Sequence, residues 1–220
     1  ELMARIASNP GKIIISYSDK SLRETKVYIA DSSLFRIFSF HWLAGDQRNF
    51  FSVSHDVAIS ESLAKKLGGT EWRQLISSNA TIDLRSQGIT GSFKIKGVFK
   101  NLPENSHFKP DLIVPRSYLM ALVGDAAGDQ SWDFNFFHTY IKLKNGTRVD
   151  DLRSKFNAWV EDHRHEALQL ANSKWDFHFL PIEDIHLKSD IQFELEGSGD
   201  FRTVFSLGII GILILIIAWI

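Results

Sequence analysis

The histidines and carboxylates of segment 162–167, DHRHEA, are the residues best suited to bind a metal ion. The segment is predicted to be helical, and His163 and His165 are two positions apart, so their side chains point about 200° away from each other. They therefore cannot share a metal ion. Asp162 and Glu166 have the better spacing, but no histidine stands four residues from another on that face. The pattern favours a solvated helix face on which His163 is partly packed.

A second candidate for chemistry is His107, which lies in a polar loop. A catalytic histidine needs a nucleophile or a carboxylate beside it, and Glu104, Ser106 and Asp111 are close to it in sequence. Adjacency in sequence does not create a catalytic pair, so a structural role with bonds to local backbone is favoured. His186 is interpreted as a packing or capping residue.

The remaining pairs of neighbouring carboxylates are interpreted as solvent-exposed surface residues. Asp150 and Asp151 fall in the first turn of the predicted long helix, where negative charge complements the helix dipole. The other pairs are Glu183 with Asp184 and Glu194 with Glu196.

An aromatic run close to the middle of the chain has two interpretations. It could form core packing or a surface that binds a ligand or partner, and core packing is favoured. Its members are Trp132, Phe134, Phe136 and Phe137.

Several classes of function are excluded by what the sequence lacks. It has no Cys, which excludes a disulfide framework, a Cys-ligated zinc site and a thiol nucleophile. It contains neither the Gly-rich phosphate loop of nucleotide-binding proteins nor the Gly-x-Ser-x-Gly elbow of hydrolases, so any ATP must be bound elsewhere. Its net charge of −1 and the lack of a basic run argue against nucleic-acid binding. No catalytic, cofactor-binding or metal-binding residue is predicted.

The pattern of apolar residues predicts alternating strands and helices. Strands are predicted at 12–17, 25–30, 56–60, 80–84, 92–99, 111–114, 138–143 and 175–180, and helices at 33–40, 61–67, 117–123 and 149–167. The predicted N-terminal caps are Asp31-Ser32 for the first helix, Ser60 for the second and Thr147 for the long one, and Gly68-Gly69 is predicted to end the second helix.

The C-terminal run 204–220 is apolar, with Ser206 as its one polar residue. A membrane helix needs roughly 20 apolar residues, so we predict the start of a transmembrane helix at 201–220, with lipid contact at 204–220. The N-terminal end has no signal-peptide pattern. We therefore expect the sequence to be a fragment of a longer protein, in which a first membrane helix precedes it.

Seven short segments resemble, in order and spacing, the extracytoplasmic core of MacB/FtsX-like ABC transporter permeases. They are 33–40 (SLFRIFSF), 43–46 (LAGD), 57–68 (VAISESLAKKLG), 95–99 (IKGVF), 102–107 (LPENSH), 139–143 (TYIKL) and 185–187 (IHL). The resemblance covers nearly the whole chain. The segment after Gly68 departs from the family, because it lacks the Phe-Gly and Pro-hydrophobic-Gly-Lys motifs often found there.

The resemblance implies an α+β fold with two subdomains. A porter-like α/β subdomain is built from both ends, 1–67 and 137–200, and a small β-rich subdomain, 68–136, is inserted between them. The transmembrane helix would then start at 201–220.

The resemblance also implies a function and a set of partners. The chain would be the periplasmic domain of a permease subunit in the bacterial inner membrane, without enzymatic activity or a cofactor of its own. It would couple cytoplasmic ATP hydrolysis to export or extraction of a substrate through mechanical movement. The implied partners are an ABC ATPase carrying ATP and Mg, a second permease copy, and a periplasmic adaptor or outer-membrane protein. Flexible residues inserted at 197–199 are expected to uncouple ATP turnover from transport.

Two alternatives belong to other classes of protein. The first is the extracytoplasmic ligand-binding domain of a membrane sensor or receptor kinase, which would continue after residue 220 into a signalling domain. The second is a membrane-anchored hydrolase, which would need a nucleophile clustered with a base.

Overall fold

The structure, a computed structural model, describes residues 2–9, 11–45, 51, 53–124, 136–185, 195 and 201–219. The chain divides into two compact units, Glu1–Lys142 and Leu143–Ile220. The strands are β1 Leu2–Ser8, β2 Ile13–Tyr17, β3 Lys20–Glu24, β4 Val27–Ala30, β5 Trp42–Gly45, β6 Asp56–Ser60, β7 Thr81–Arg85, β8 Thr90–Phe99, β9 Leu112–Pro115 and β10 His138–Lys142. The helices are α1 Leu34–Ile37, α2 Glu61–Gly68, α3 Gln74–Ser77, α4 Arg116–Val123, α5 Val149–Leu170 and α6 Phe201–Trp219.

The first unit is built on a mixed sheet with the strand order β10-β1-β4-β9-β6-β8-β7-β2-β3. The pairs β4–β9 and β6–β8 are parallel, and the other described pairs are antiparallel. The short strand β5 pairs with the second half of β8, outside this order.

The burial of each strand follows from its sequence. Strands β4, β6 and β9 are buried at every position. This burial is why β4 and β9 are continuous apolar runs and why β6 has three apolar residues between Asp56 and Ser60. Strand β7 alternates between exposed and buried residues, so one face of it is open to solvent. The helices α2 and α3 contribute Leu63, Leu67 and Leu75 to the core that includes β2, β6, β7 and β8.

A close approach of two strands requires glycine at position 45. Gly45 has a φ of +96°, and a Cβ atom built on it would lie 2.2 Å from the carbonyl oxygen of Lys96 in β8. Any side chain would therefore force β5 away from β8.

The second unit contains α5, an extended segment after it, and α6. Arg153 Nη2 and Asn157 Nδ2 each lie 2.8 Å from the Asp176 carboxylate. The backbone N–H of Phe177 donates to Asn157 Oδ1 over 3.0 Å. These bonds tie the extended segment along α5.

Much of the predicted secondary structure is confirmed. The predicted strands correspond to β2, β4 and β6 to β10 apart from 175–180, and the predicted helices correspond to α1, α2, α4 and α5. Strands β1, β3 and β5 were not predicted.

The predicted strand at 175–180 is wrong, because the structure has no regular element there. The alternation that suggested it is present, since Trp175, Phe177 and Phe179 are half-buried and the residues between them are exposed. The backbone N–H of Phe177, however, bonds to a side chain of α5 instead of to a strand.

Two predicted helix caps are also wrong. Helix α1 ends at Ile37 because Phe38 is extended, and its N-terminal cap is Ser33, without a side-chain hydrogen bond. The cap of α5 is Arg148 instead of Thr147.

The transmembrane prediction at 201–220 is not supported by the structure. Within the described residues, none of the helices combines the length and the apolar character needed to cross a membrane.

Candidate functional site

Three charged residues meet at one end of the central strands and form what we call the Asp31 junction: Arg5, Asp31 and Arg116. Arg5 donates to Asp31 Oδ2 from its backbone N–H over 3.0 Å and from Nε over 2.9 Å. Arg116 Nε donates to Asp31 Oδ1 over 2.6 Å. The three side chains are only 14–23% exposed, so the ion pairs are partly shielded from water.

The register of the sheet explains why these residues meet. Ala30 is aligned with Pro115 in the parallel pair β4–β9, so Asp31 and Arg116, the next residues, leave the sheet side by side. Ala30 is also aligned with Ile6 in the antiparallel pair β1–β4, which places Arg5 opposite Asp31. The junction thus joins β1, the end of β4 and the start of α4.

His107 lies in a second assembly, the His107 cluster, which consists of Phe38, His107, Phe108 and Tyr140. The Nε2 atom of His107 is 2.9 Å from the Tyr140 hydroxyl. The Phe38 ring lies edge-on to Phe108 and Tyr140, with centroids 5.0 and 5.1 Å away. Burial raises the pKa of Tyr140, and the nearby Tyr28 contributes to the rise. The Tyr140 phenol therefore stays neutral and serves as a hydrogen-bonding group.

The side chains considered as catalytic partners of His107 have other contacts. Ser106 Oγ donates to the Phe108 carbonyl over 2.8 Å. Asp111 accepts from Ser60 Oγ over 2.6 Å, and Glu104 lies 3.5 Å from the Lys109 amine. These contacts are structural and do not assemble a nucleophile with a base.

A third polar site lies where β6 runs into α2. Ser60 is buried, and its hydroxyl accepts from the Leu63 N–H over 3.1 Å while donating to Asp111. Ser62 and Asn101 exchange two hydrogen bonds nearby, one from the Ser62 backbone N–H and one from the Asn101 amide. The predicted cap at Ser60 is thus confirmed, and it also fixes the loop before β9.

The histidines of 162–167 do not converge. His163 Nδ1 lies 2.8 Å from the carbonyl of Trp159, and its ring stacks on the Trp159 ring with centroids 4.3 Å apart. His165 Nδ1 lies 2.7 Å from Glu161. Across the residues that the structure describes, no group of three or more His, Asp or Glu side chains could hold a metal ion.

The other predicted surface pairs lie on the second unit or beyond the described residues. Asp150 and Asp151 occupy the first turn of α5, and Glu183 and Asp184 form part of a short 3₁₀ turn. His186, Glu194 and Glu196 lie outside the described residues.

The aromatic run near the middle of the chain can be followed in part. Phe136 and Phe137 pack against the main core, with ring centroids 5.7 Å apart. Trp132 and Phe134 lie outside the described residues.

The Asp31 junction was not predicted from the sequence. Its signal was a charged residue directly after each of two buried strands, at Asp31 and Arg116. This signal becomes informative only when the two strands are known to be parallel neighbours.

Comparisons with known proteins identify a family for most of the chain and two solved structures with a similar fold. Residues 2–159 match the model of the MacB-like periplasmic core domain family. A domain of a Porphyromonas gingivalis protein assigned as a permease has 23% identity and a TM-score of 0.60, covering 74% of this chain and 70% of its own.

A second solved structure is also similar. The periplasmic region of MacB from Actinobacillus actinomycetemcomitans has 13% identity and a TM-score of 0.54, covering 83% of this chain and 72% of its own. At these identities the two likenesses show the fold. None of the curated proteins matches the sequence.

Proposed function

The chain belongs to the family of MacB-like periplasmic core domains, and from that premise we propose that it transmits conformational change within an ABC transporter permease. The match over residues 2–159 is the observation that carries the proposal. In this role the domain lies in the periplasm, outside the bacterial inner membrane. It couples ATP hydrolysis in the cytoplasm to export or extraction of a substrate.

The contacts of the first unit support a mechanical role. The Asp31 junction joins β1, β4 and α4 through partly shielded ion pairs, and the His107 cluster joins β10 to the loop before β9. A body held by such contacts moves as one piece. Transmitting a movement requires packing of this kind and needs no reacting group in the chain.

The proposed role requires partners. An ABC ATPase, as a subunit or a fused domain, supplies ATP hydrolysis with Mg, and this chain has no catalytic role and needs no cofactor. A second permease copy completes the assembly, and a periplasmic adaptor or outer-membrane protein receives the substrate.

The proposed link between the domain and the rest of the permease includes residues 197–199, which lie outside the described residues. We expect an insertion of flexible residues there to uncouple ATP turnover from transport. Unchanged transport by that variant would contradict the mechanical role.

Affinity purification of the full-length protein from native membranes tests the proposal. An ABC ATPase in stoichiometric amount, or on the same chain, is the expected result. Recovery of response regulators or kinase domains without an ATPase would overturn it in favour of a membrane sensor, the alternative that the family match does not favour.

A further inference from the structure

The turn that follows β10 contains the chain's one Asn-Gly pair, Asn145-Gly146. The backbone N–H of Thr147 donates to the Lys144 carbonyl over 3.2 Å. Of the two central residues only Gly146 has a positive φ, +83°, which is the conformation of a type II turn. The turn lies between β10 and α5, among the first residues of the second unit.

The backbone nitrogen of Gly146 is open to reaction. The hydrogen bond of the turn uses the N–H of Thr147, not that of Gly146. Asn145 and Gly146 are both exposed, and a Cβ atom built on Gly146 would meet no atom of the described residues within 4 Å. Because glycine has no side chain, nothing on it blocks the approach of the neighbouring amide carbon.

We propose that Asn145 is a site of spontaneous modification, at which its side-chain amide is converted to a carboxylate through a cyclic imide formed with Gly146. The backbone nitrogen of Gly146 attacks Cγ of Asn145 and forms a new N–C bond, and its proton passes to hydroxide or water. The bond from Cγ to Nδ2 breaks, and Nδ2 takes up a proton and leaves as ammonia.

Hydrolysis of the imide completes the reaction. Water adds to one of its two carbonyl carbons, and the ring opens to give aspartate or isoaspartate. In isoaspartate the main chain runs through Cβ and Cγ and is therefore longer. Both products place a negative charge in the segment that joins β10 to α5. This inference does not depend on the proposed function.

The local structure allows the ring to close. The two reacting groups belong to neighbouring residues, so their encounter is intramolecular. The turn must open for them to meet, but a single hydrogen bond of 3.2 Å closes it. Since the turn lies outside β10 and α5, it can open without unfolding either element.

The charges near the turn favour the attack. Lys142, Lys144 and Arg148 lie within three residues of Asn145 or Gly146, and all three are exposed. Positive charge stabilises both the deprotonated nitrogen and the oxyanion that develops on the amide oxygen. Because these side chains are exposed and Arg148 also lies 3.7 Å from Asp151, this effect is modest.

Three other asparagines, Asn79, Asn105 and Asn172, are followed by a small residue but are protected by the fold. In each case the backbone N–H that would attack already donates a hydrogen bond. The bonds run from Ala80 to the Leu75 carbonyl over 2.9 Å, from Ser106 to the Pro103 carbonyl over 2.9 Å, and from Ser173 to the Leu168 carbonyl over 3.0 Å.

Two further asparagines have their side chains held in place. The Asn101 amide donates to Ser62 Oγ over 2.7 Å, and the Asn157 amide donates to Asp176 over 2.8 Å. The side-chain oxygen of each accepts a backbone N–H as well. These bonds keep the amide carbon from turning towards the next backbone nitrogen.

Mass spectrometry of the aged chain tests the proposal. After incubation at about pH 8, digestion before aspartate residues releases residues 133–149. A new aspartate at position 145 is cleaved by the same protease and isoaspartate is not, which separates the two products. We expect conversion at Asn145 to be at least about tenfold faster than at Asn79, Asn105 or Asn172.

The same incubation in urea separates the effect of the fold from that of the sequence. Asn79, Asn105 and Asn172 should react faster once their protecting hydrogen bonds are lost, whereas the rate at Asn145 should change by less than about threefold. Equal rates at all four positions in the folded chain, or a large rise at Asn145 on unfolding, would overturn the proposal.

The imide itself can be detected with hydroxylamine, which cleaves the chain at a cyclic imide. The folded wild-type chain should yield two fragments, residues 1–145 and 146–220. The matched control is Asn145→Gln, which keeps the amide but would need a six-membered ring, and we expect no such cleavage there. Wild-type chain that stays intact, or equal cleavage of both chains, would contradict the route through Gly146.

Discussion

Asp31 joins β1, β4 and α4 by charge. Its two carboxylate oxygens have different partners, Oδ2 with Arg5 and Oδ1 with Arg116. Because the three side chains are at most 23% exposed, loss of the carboxylate leaves two guanidinium groups poorly hydrated.

We expect Asp31→Asn to lower the free energy of unfolding by about 2 kcal/mol, since it removes the negative charge but preserves the shape. Urea unfolding followed by circular dichroism measures the change. The control is Asp19→Asn, the same chemical change at an exposed turn, which should stay within about 0.5 kcal/mol of the wild type. Equal effects of the two variants would mean that the ion pairs of Asp31 contribute little to the free energy of unfolding.

At the scale of residues, the interactions that could be predicted from the sequence were those between residues close together in the chain. Ser60 could be identified as a cap because a cap and its acceptor lie within one turn. Asp31 was wrongly predicted to cap α1, since its real partners are set by the register of three strands. His107 was interpreted as a structural residue bonded to local backbone. Its contact with the distant Tyr140 depends on the position of β10, which local patterns do not specify.

The Ser60 hydroxyl, at the start of helix α2, makes two hydrogen bonds. Ser60 accepts from the N–H of Leu63, as a cap does, and donates to Asp111 before β9. The start of the helix and the neighbouring loop are therefore linked through one buried atom.

We expect Ser60→Ala to lower the free energy of unfolding by about 1.5 kcal/mol, because the helix loses its cap and Asp111 loses a donor. Asp111→Asn should cost less, since its amide oxygen still accepts from Ser60. Thermal unfolding of both variants checks the order. A larger loss for Asp111→Asn would show that the charge matters more than the cap.

The segment that follows α5 is expected to respond to acid. The hydrogen bond from Arg153 lowers the pKa of Asp176 below its ordinary value of 3.8, and a second bond from Asn157 acts in the same direction. A carboxyl whose pKa is lowered by folding stabilises the fold above its unfolded pKa. That contribution is lost as the pH falls through the lowered, folded pKa.

Contacts between Asp176 and α5 should therefore loosen below about pH 4. Arg153→Met should raise the pKa of Asp176 towards its ordinary value, as measured by NMR titration of the carboxyl group. Lys155→Met, which removes a neighbouring charge from the same helix, should leave that pKa near the wild-type value. An unchanged pKa in Arg153→Met would contradict the assignment of the cause.

At the scale of elements, buried apolar runs and long periodic helices were predictable. Strands β1, β3 and β5 were missed, since each depends on its neighbours more than on a pattern of its own. The extended segment at 175–180 had the pattern of a strand, but side chains of α5 bind its polar groups.

For the first unit as a whole, β1 is the strand between β4 and β10. Its residues Ala4, Ile6 and Ala7 are fully buried. A chain that begins at Gly11 would expose one edge of β4 and leave β10 without its partner.

We expect that shortened chain to lose its cooperative unfolding transition and its near-ultraviolet circular dichroism. A peptide of residues 1–9, added in excess, should restore part of the signal because it can occupy the vacant position in the sheet. A shortened chain that unfolds cooperatively without the peptide would contradict the importance of β1.

The order of strands in the whole sheet could not be obtained from local patterns. The family resemblance implied an α+β fold with two subdomains. The large mixed sheet and the likeness to the periplasmic region of MacB support its mixture of helices and strands. The subdomain bounds 1–67, 68–136 and 137–200 remain a prediction. The parallel pairs β4–β9 and β6–β8 bring together residues from distant parts of the chain. The sequence of one strand does not indicate which other strand it pairs with.

The pairing of Leu2 with Lys142 affects how the protein folds during its synthesis. During synthesis β1 emerges before the other strands of the first unit, and β10 completes that unit only after nearly all of it has been made. Until then the outer edge of β1 offers unpaired backbone groups, which favour aggregation. Closing so distant a contact is slow, so the nascent chain has a prolonged need for protection by chaperones before its sheet is complete.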